Sequence, residues 1–222
     1  MAKVLSVGTC DWLSIWDEAR ECVARGGVLA LATESFYALA ASATNPEAVV
    51  RVAAIKGRSL ENPLLVLIGE QSALRGFAAD IPPVAALLME RFWPGPLTLV
   101  FPAQSGLPAP LTGGTGTVGV RHPGDPHLCL LLQQTGPLTG TSANRAGAPP
   151  ACTAQVVEQE LGNAVDLILD SGPAPGGQPS TVLTIVEGLS IIREGAIPRA
   201  EIKKALSAAG MPLLAEGAER PR

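Results

Sequence analysis

Residues 55–67, IKGRSLENPLLVL, constrain the fold more tightly than any other stretch of the chain. A helix that runs into Lys56 must close at Gly57, because glycine accepts the left-handed backbone that ends a helix. Pro63 then releases the chain into the apolar run LLVLI, and a short apolar run bounded by breakers reads as a buried strand. Lys56 and Arg58 therefore stand in a loop at the mouth of that strand. An ammonium and a planar guanidinium set so close together suit a polyphosphate or a carboxylate. The same pair also fits a plainer role, capping the helix C-terminus and meeting only water.

Length and composition allow one compact domain with a sizeable core. Of 222 residues, 47% are hydrophobic and 16% charged, the balance of a globular chain rather than a disordered one. No apolar run approaches the ~18 residues of a membrane span, and the N-terminus carries no long apolar signal core. A cytosolic protein with no membrane partner is expected. Sixteen basic against twenty acidic residues leave a net charge of −4, which argues against a generalised nucleic-acid surface and still allows a local basic cleft. Cys10, Cys22, Cys129 and Cys152 contain no CxxC pair, and the histidines are His122 and His127, so neither a zinc site nor a disulfide framework is expected. Cys22 and Cys129 fall in apolar helical patterns and read as core.

Helix and strand signals alternate irregularly along the chain. Trp12, Ile15, Trp16, Ala19 and Val23 share a helical face that ends at Gly26-Gly27, with the tryptophans read as core rather than as a stacking platform. A strand over 28–32 runs into Thr33-Glu34-Ser35, and Asn45-Pro46 opens the helix that delivers Lys56. Further helices are predicted over 71–77, 83–92, 127–134, 153–161 and 198–209. Further strands are predicted over 64–68, 97–101, 117–121, 138–141, 166–169, 181–186 and 189–193, the last two joined by a tight turn at Glu187-Gly188. Residues 105–116 read as a surface loop, and GGTGTVG, which begins inside it at Gly113, lacks the Lys-Ser/Thr of a phosphate-binding P-loop. This order fits an α/β fold with a mixed sheet covered by helices. Thr33, Ser35, Lys56, Arg58, Arg121, Ser142, Asn144, Ser180 and Arg193 all fall near predicted strand ends. Polar groups that converge there imply one ligand cleft.

Seven segments, TESFYALAASA, IKGRSLENPL, FWPGPLT, VGVRHPGDP, TSANRAGAPP, PSTVLTI and IIREGAI, resemble in order successive segments of the YrdC-like family. The resemblance runs over residues 19–198. It implies a twisted mixed β-sheet flanked by helices around a large concave, locally basic cleft. It also implies a single catalytic domain of the short type over residues 1–210, with 211–222 as a flexible tail. Free-standing members join L-threonine, bicarbonate or CO2, and ATP into L-threonylcarbamoyl-AMP and pyrophosphate. That product serves tRNA threonylcarbamoyladenosine formation, completed by partner proteins. The expectation is thus a nucleotidyltransferase with ATP as substrate and Mg2+ screening its phosphates, and with no metal held by protein ligands alone. By motif position, Lys56 and Arg58 are the catalytic cations and, with Asn62, ATP phosphate ligands. Thr117, Ser142, Asn144 and Arg193 are further ATP contacts. Thr33, Ser35, Tyr37, Arg121 and Ser180 form the threonine pocket, with Arg121 facing the carboxylate.

The chain departs from the family pattern at Ala32, Ser35, Ser59, Arg145 and Glu194, and at Ala38, which stands where the family has glycine. The added methyl either narrows the cleft or conflicts with a positive φ. Two other readings remain: a same-fold enzyme that adenylates another carbamoyl or carboxylate group, and a protein of this fold that binds double-stranded RNA. Aromatic content of 4% and the negative net charge weigh against the second.

Overall fold

In a computed structural model the described residues are 1–7, 11–186 and 188–211. Cys10, Glu187 of the expected turn and residues 212–222 of the expected tail lie outside them. The chain runs β1 (Lys3–Ser6), α1 (Trp12–Ala24), β2 (Leu29–Ala32), β3 (Tyr37–Ala40), α2 (Pro46–Lys56), β4 (Val66–Leu67), a 3-10 helix (Gln71–Gly76), α3 (Pro83–Phe92) and β5 (Leu97–Pro102). It continues through α4 (Ala109–Thr112), β6 (Thr117–Arg121), α5 (Pro126–Thr135), β7 (Leu138–Thr139), β8 (Thr141–Ser142), α6 (Ala154–Leu161), β9 (Leu167–Asp170), β10 (Thr181–Thr184), β11 (Ser190–Arg193) and α7 (Arg199–Ala208).

The mixed strand pairing expected from the sequence is present, divided between two sheets. One has the order β1-β9-β2-β3-β8 and the other β11-β10-β5-β6-β4-β7. Both combine parallel and antiparallel neighbours: β2 runs parallel to β9 and antiparallel to β3, and β5 runs parallel to β10 and antiparallel to β6. The central strands β2 and β3 of the first sheet are covered on both faces, and they read LALA and YALA. Leu29 and Leu31 of β2 pack with Ile15, Ala19 and Cys22 of α1 and Leu128 and Leu131 of α5. Val28, Ala30, Tyr37 and Leu39 enter the larger core between the sheets and the remaining helices. Each such leucine, fully buried, contributes roughly 1.5–3 kcal/mol relative to exposure.

Helix starts follow the expected chemistry. Asn45 Oδ1 accepts the N–H groups of Glu47 and Ala48 at 3.0 and 3.2 Å with Pro46 in the first turn, and Asp125 and Thr153 cap α5 and α6 in the same way. Several boundaries differ from the sequence reading. The 64–68 run contributes only Val66 and Leu67 as strand, 71–77 forms a 3-10 helix, and the 105–116 loop contains the single turn of α4. The predicted 138–141 strand is two strands in different sheets, separated at Gly140. β1 and β3 carried no strong sequence signal, because their short runs are flanked by other apolar residues and show no alternation. Cys22 is buried as expected, whereas Cys129 is only half-buried, its thiol donating to Pro123 O at 3.1 Å. Trp12 and Trp16 are half-buried, and Trp12 stacks on His127 with ring centroids 4.2 Å apart.

Candidate active site

A cavity of about 750 Å³ opens between the two sheets. Its walls contain Lys56, Arg58, Arg121 and Arg193 and, among the described residues, no Asp or Glu. Four cations so placed repel one another unless an anion is shared between them.

Helix α2 delivers the first two. Gly57 adopts φ 66° and ψ 34°, and its N–H and that of Arg58 bond back to Ala54 O and Ala53 O at 3.0 Å each. This C-terminal cap turns the chain so that Lys56 points inward while Arg58 stays solvent-accessible on the cavity wall. Lys56 is 8% exposed, and its ammonium donates to Ser142 O at 2.7 Å, to Ser142 Oγ at 2.9 Å and to Asn144 Oδ1. Ala146 N–H in turn donates to Lys56 O at 2.8 Å, so the loop after β8 and the end of α2 hold each other. Burial, followed by repulsion from Arg58, lowers the Lys56 pKa to about 8. Asn144 lies behind Lys56 rather than in the wall, its amide donating to Arg145 O at 3.0 Å and Ala148 O at 2.5 Å.

The opposite wall comes from the second sheet. Arg121, at the end of β6 and 5% exposed, donates from Nε to Gly95 O at 3.1 Å. Its Nη2 forms an ion pair with Glu34 Oε1; that contact lacks hydrogen-bond alignment, which leaves Nη2 buried without a hydrogen-bond partner. The FWPGPLT segment thereby acquires a purpose. Trp93 Nε1 donates to Leu97 O at 2.7 Å and Gly95 N–H to His122 O at 2.8 Å, which fixes the Gly95 carbonyl against Arg121. Arg193 on β11 donates to Ser180 O at 2.9 Å, and Ser180 Oγ lies 2.9 Å from Thr98 Oγ1. Partial withdrawal from water, then repulsion by Arg121 and Arg58, lowers the Arg193 pKa.

The structure brings Thr33, Ser35, Tyr37, Lys56, Arg58, Thr117, Arg121, Ser142, Ser180 and Arg193 into the walls of one cavity. Asn62 is exposed outside the lining. Thr33 caps its own turn, its hydroxyl donating to Phe36 O at 2.8 Å, whereas Ser35 Oγ stands 3.3 Å from Thr33 Oγ1. The Tyr37 phenol donates to Gly172 O at 2.8 Å, and burial together with the Asp170 charge pushes its pKa up to about 12. Thr117 and Thr115 share a hydrogen bond at 2.8 Å. Ala38 sits in extended β3, paired with Leu31 and Ser142, so its methyl meets no positive-φ conflict and simply lines the cavity. Sequence reasoning missed Thr98, Thr115 and Glu34. No sequence signal paired Glu34 with Arg121, because the burial of that arginine, which calls for a carboxylate nearby, appears only in the fold.

The family model described as Sua5_yciO_yrdC, telomere recombination, matches residues 21–195. A curated threonylcarbamoyl-AMP synthase of Pyrococcus abyssi is 36% identical over 186 residues, 83% of this chain and 55% of the relative. One from Coxiella burnetii is 31% identical over 179 residues, 80% of this chain and 96% of the relative. The chain thus spans about half the length of the Pyrococcus relative and nearly all of the Coxiella one. The solved structure of P. abyssi Sua5 complexed with L-threonine superposes with a TM-score of 0.87 at 32% identity, over 100% of this chain and 67% of that one.

Proposed function

Because this chain belongs to the Sua5/YciO/YrdC family, we propose that it is a nucleotidyltransferase that makes L-threonylcarbamoyl-AMP from L-threonine, CO2 or bicarbonate, and ATP. The observation that carries this reading is the cavity itself, which gathers two cations from the end of α2 and two from the second sheet with no carboxylate in its lining. Two anions must meet there, a polyphosphate and a carbamate that also bears a carboxylate. Neither approaches the other without fixed positive charge between them. The L-threonine-bound relative supports an amino-acid subsite in this fold.

The threonine amine adds to CO2, giving a carbamate and releasing a proton to solvent. A carbamate oxygen then attacks the α-phosphorus of ATP. The bond to the bridging oxygen breaks, and pyrophosphate departs with the electron pair. No covalent nucleophile from the protein is needed, so positioning and electrostatics carry the rate. Lys56, Arg58 and Arg193 hold the triphosphate, with Asn144 fixing Lys56 and Ser142 and Thr117 lining the nucleotide side. Arg121, Ser35 and Ser180 receive the amino acid. A Mg2+ arriving with ATP would take its ligands from phosphate and water oxygens. Its chemistry there is to screen the phosphates. The product passes to partner proteins that transfer the threonylcarbamoyl group to tRNA.

The deciding experiment is pyrophosphate release from ATP with Mg2+ and bicarbonate, with L-threonine present, omitted or replaced by L-serine. Release that requires threonine, with a threonylcarbamoyl-AMP mass in the product, is the expected result. Turnover only with another acceptor would move the assignment to a sister activity of the same fold.

A further inference from the structure

The four cations of the cavity are not equivalent, and the difference comes from one residue outside its lining. Among the described residues, Lys56, Arg58 and Arg193 form no ion pair with a carboxylate, whereas Arg121 meets Glu34. Glu34 reaches Arg121 from the turn after β2, and its Oε1 is held by Gly124 N–H at 2.8 Å. Gly95 O takes Nε of the same guanidinium at 3.1 Å, so the Nε–Nη2 edge is occupied by protein. The Nη1 end is left to a ligand. In charge, the cavity therefore has three uncompensated cations and one that is already neutralised.

A polyanion gains from positive potential in proportion to its charge. Neutralising one subsite therefore weakens its hold on a polyphosphate several times more than its hold on a single carboxylate. We infer that Glu34 is a positioning and specificity residue: it fixes the Arg121 guanidinium and cancels its charge, reserving that end of the cavity for the amino-acid carboxylate and leaving the triphosphate to the other three cations. This rests on the threonine-and-ATP reading above.

The test measures binding of L-threonine and of ATP to wild type, Glu34→Gln and Glu34→Asp by calorimetry, and repeats the threonine titration in excess pyrophosphate. With Glu34→Gln the guanidinium loses its anchor and turns to phosphate. Threonine should bind roughly tenfold more weakly and ATP several-fold more tightly. Pyrophosphate should then displace threonine from the variant and spare it in wild type. Glu34→Asp keeps the charge and should restore the resistance to pyrophosphate, and it stands in if the Gln variant does not fold. Threonine affinity and pyrophosphate resistance unchanged in Glu34→Gln, or equal loss of both ligands, would overturn the inference. A wild type that binds no threonine would instead overturn the functional reading, and this inference with it.

Discussion

Arg58 and Lys56 sit one residue either side of a helix cap, yet they answer different questions about the site. Arg58 is accessible on the wall, so Arg58→Ala should leave the thermal midpoint unchanged and lower turnover roughly a hundredfold, the scale of losing one transition-state charge contact. Lys56 is buried, and its pKa is lowered from 10.5 to about 8. The unfolded chain therefore keeps the proton to higher pH than the folded one, so folding stability rises as pH climbs from about 8 to 10.5. Over the same rise the free protein loses one of the four positive charges of the cavity, and ATP affinity should fall. Lys56→Met should flatten both trends, read by thermal melts and by nucleotide titration across that range. These two residues were legible in sequence because a glycine and a proline bracket them. Glu34 was not, because its partner lies far along the chain and only the fold brings them together.

At the scale of elements, two glycines set the geometry. Gly57 has open space where a Cβ would go but a positive φ, so Gly57→Ala should cost about 1 kcal/mol and weaken ATP more than threonine, since Arg58 leaves that cap. Gly195 has the opposite limit. A Cβ there would stand 2.1 Å from Pro179 O, and its N–H donates to Thr181 Oγ1 at 2.9 Å. Gly195→Ala should displace Ser180 together with Arg193 and reduce the yield of folded protein, measured by circular dichroism and by threonine binding. Most helices could be read from caps and apolar spacing, as with Asn45 before α2. The strands were harder. Tyr37–Ala40 is buried on both faces and shows no alternation, and a continuous apolar stretch gives no period to detect.

For the whole molecule, the negative net charge and the cationic cavity act at different ranges. Long-range attraction of a polyanion is weak in a chain of net charge −4, whereas the cavity acts at contact. ATP affinity should therefore decline with added salt more steeply than threonine affinity, and double-stranded RNA should bind weakly at physiological salt, both measurable by titration at several ionic strengths. The sequence pointed to an α/β fold and one polar cleft. That the cleft lies between two sheets could not be read, because the division falls inside what the sequence presents as one short strand over 138–141.

That division is made by residues 138–142. Leu138–Thr139 pairs in one sheet and Thr141–Ser142 in the other, while a Cβ on Gly140 would press to 2.6 Å from the Leu67 side chain. The backbone is a splice: it carries the wall that holds Lys56 directly into the sheet that ends in Arg121. The two halves of the cavity are therefore joined through the backbone at Gly140, packed against Leu67, and not through a long connection. A bulkier residue at Gly140, as in Gly140→Val, should push Leu67 and both sheet ends apart and so weaken threonine and ATP binding together, a coupled loss that two titrations of the folded variant would read.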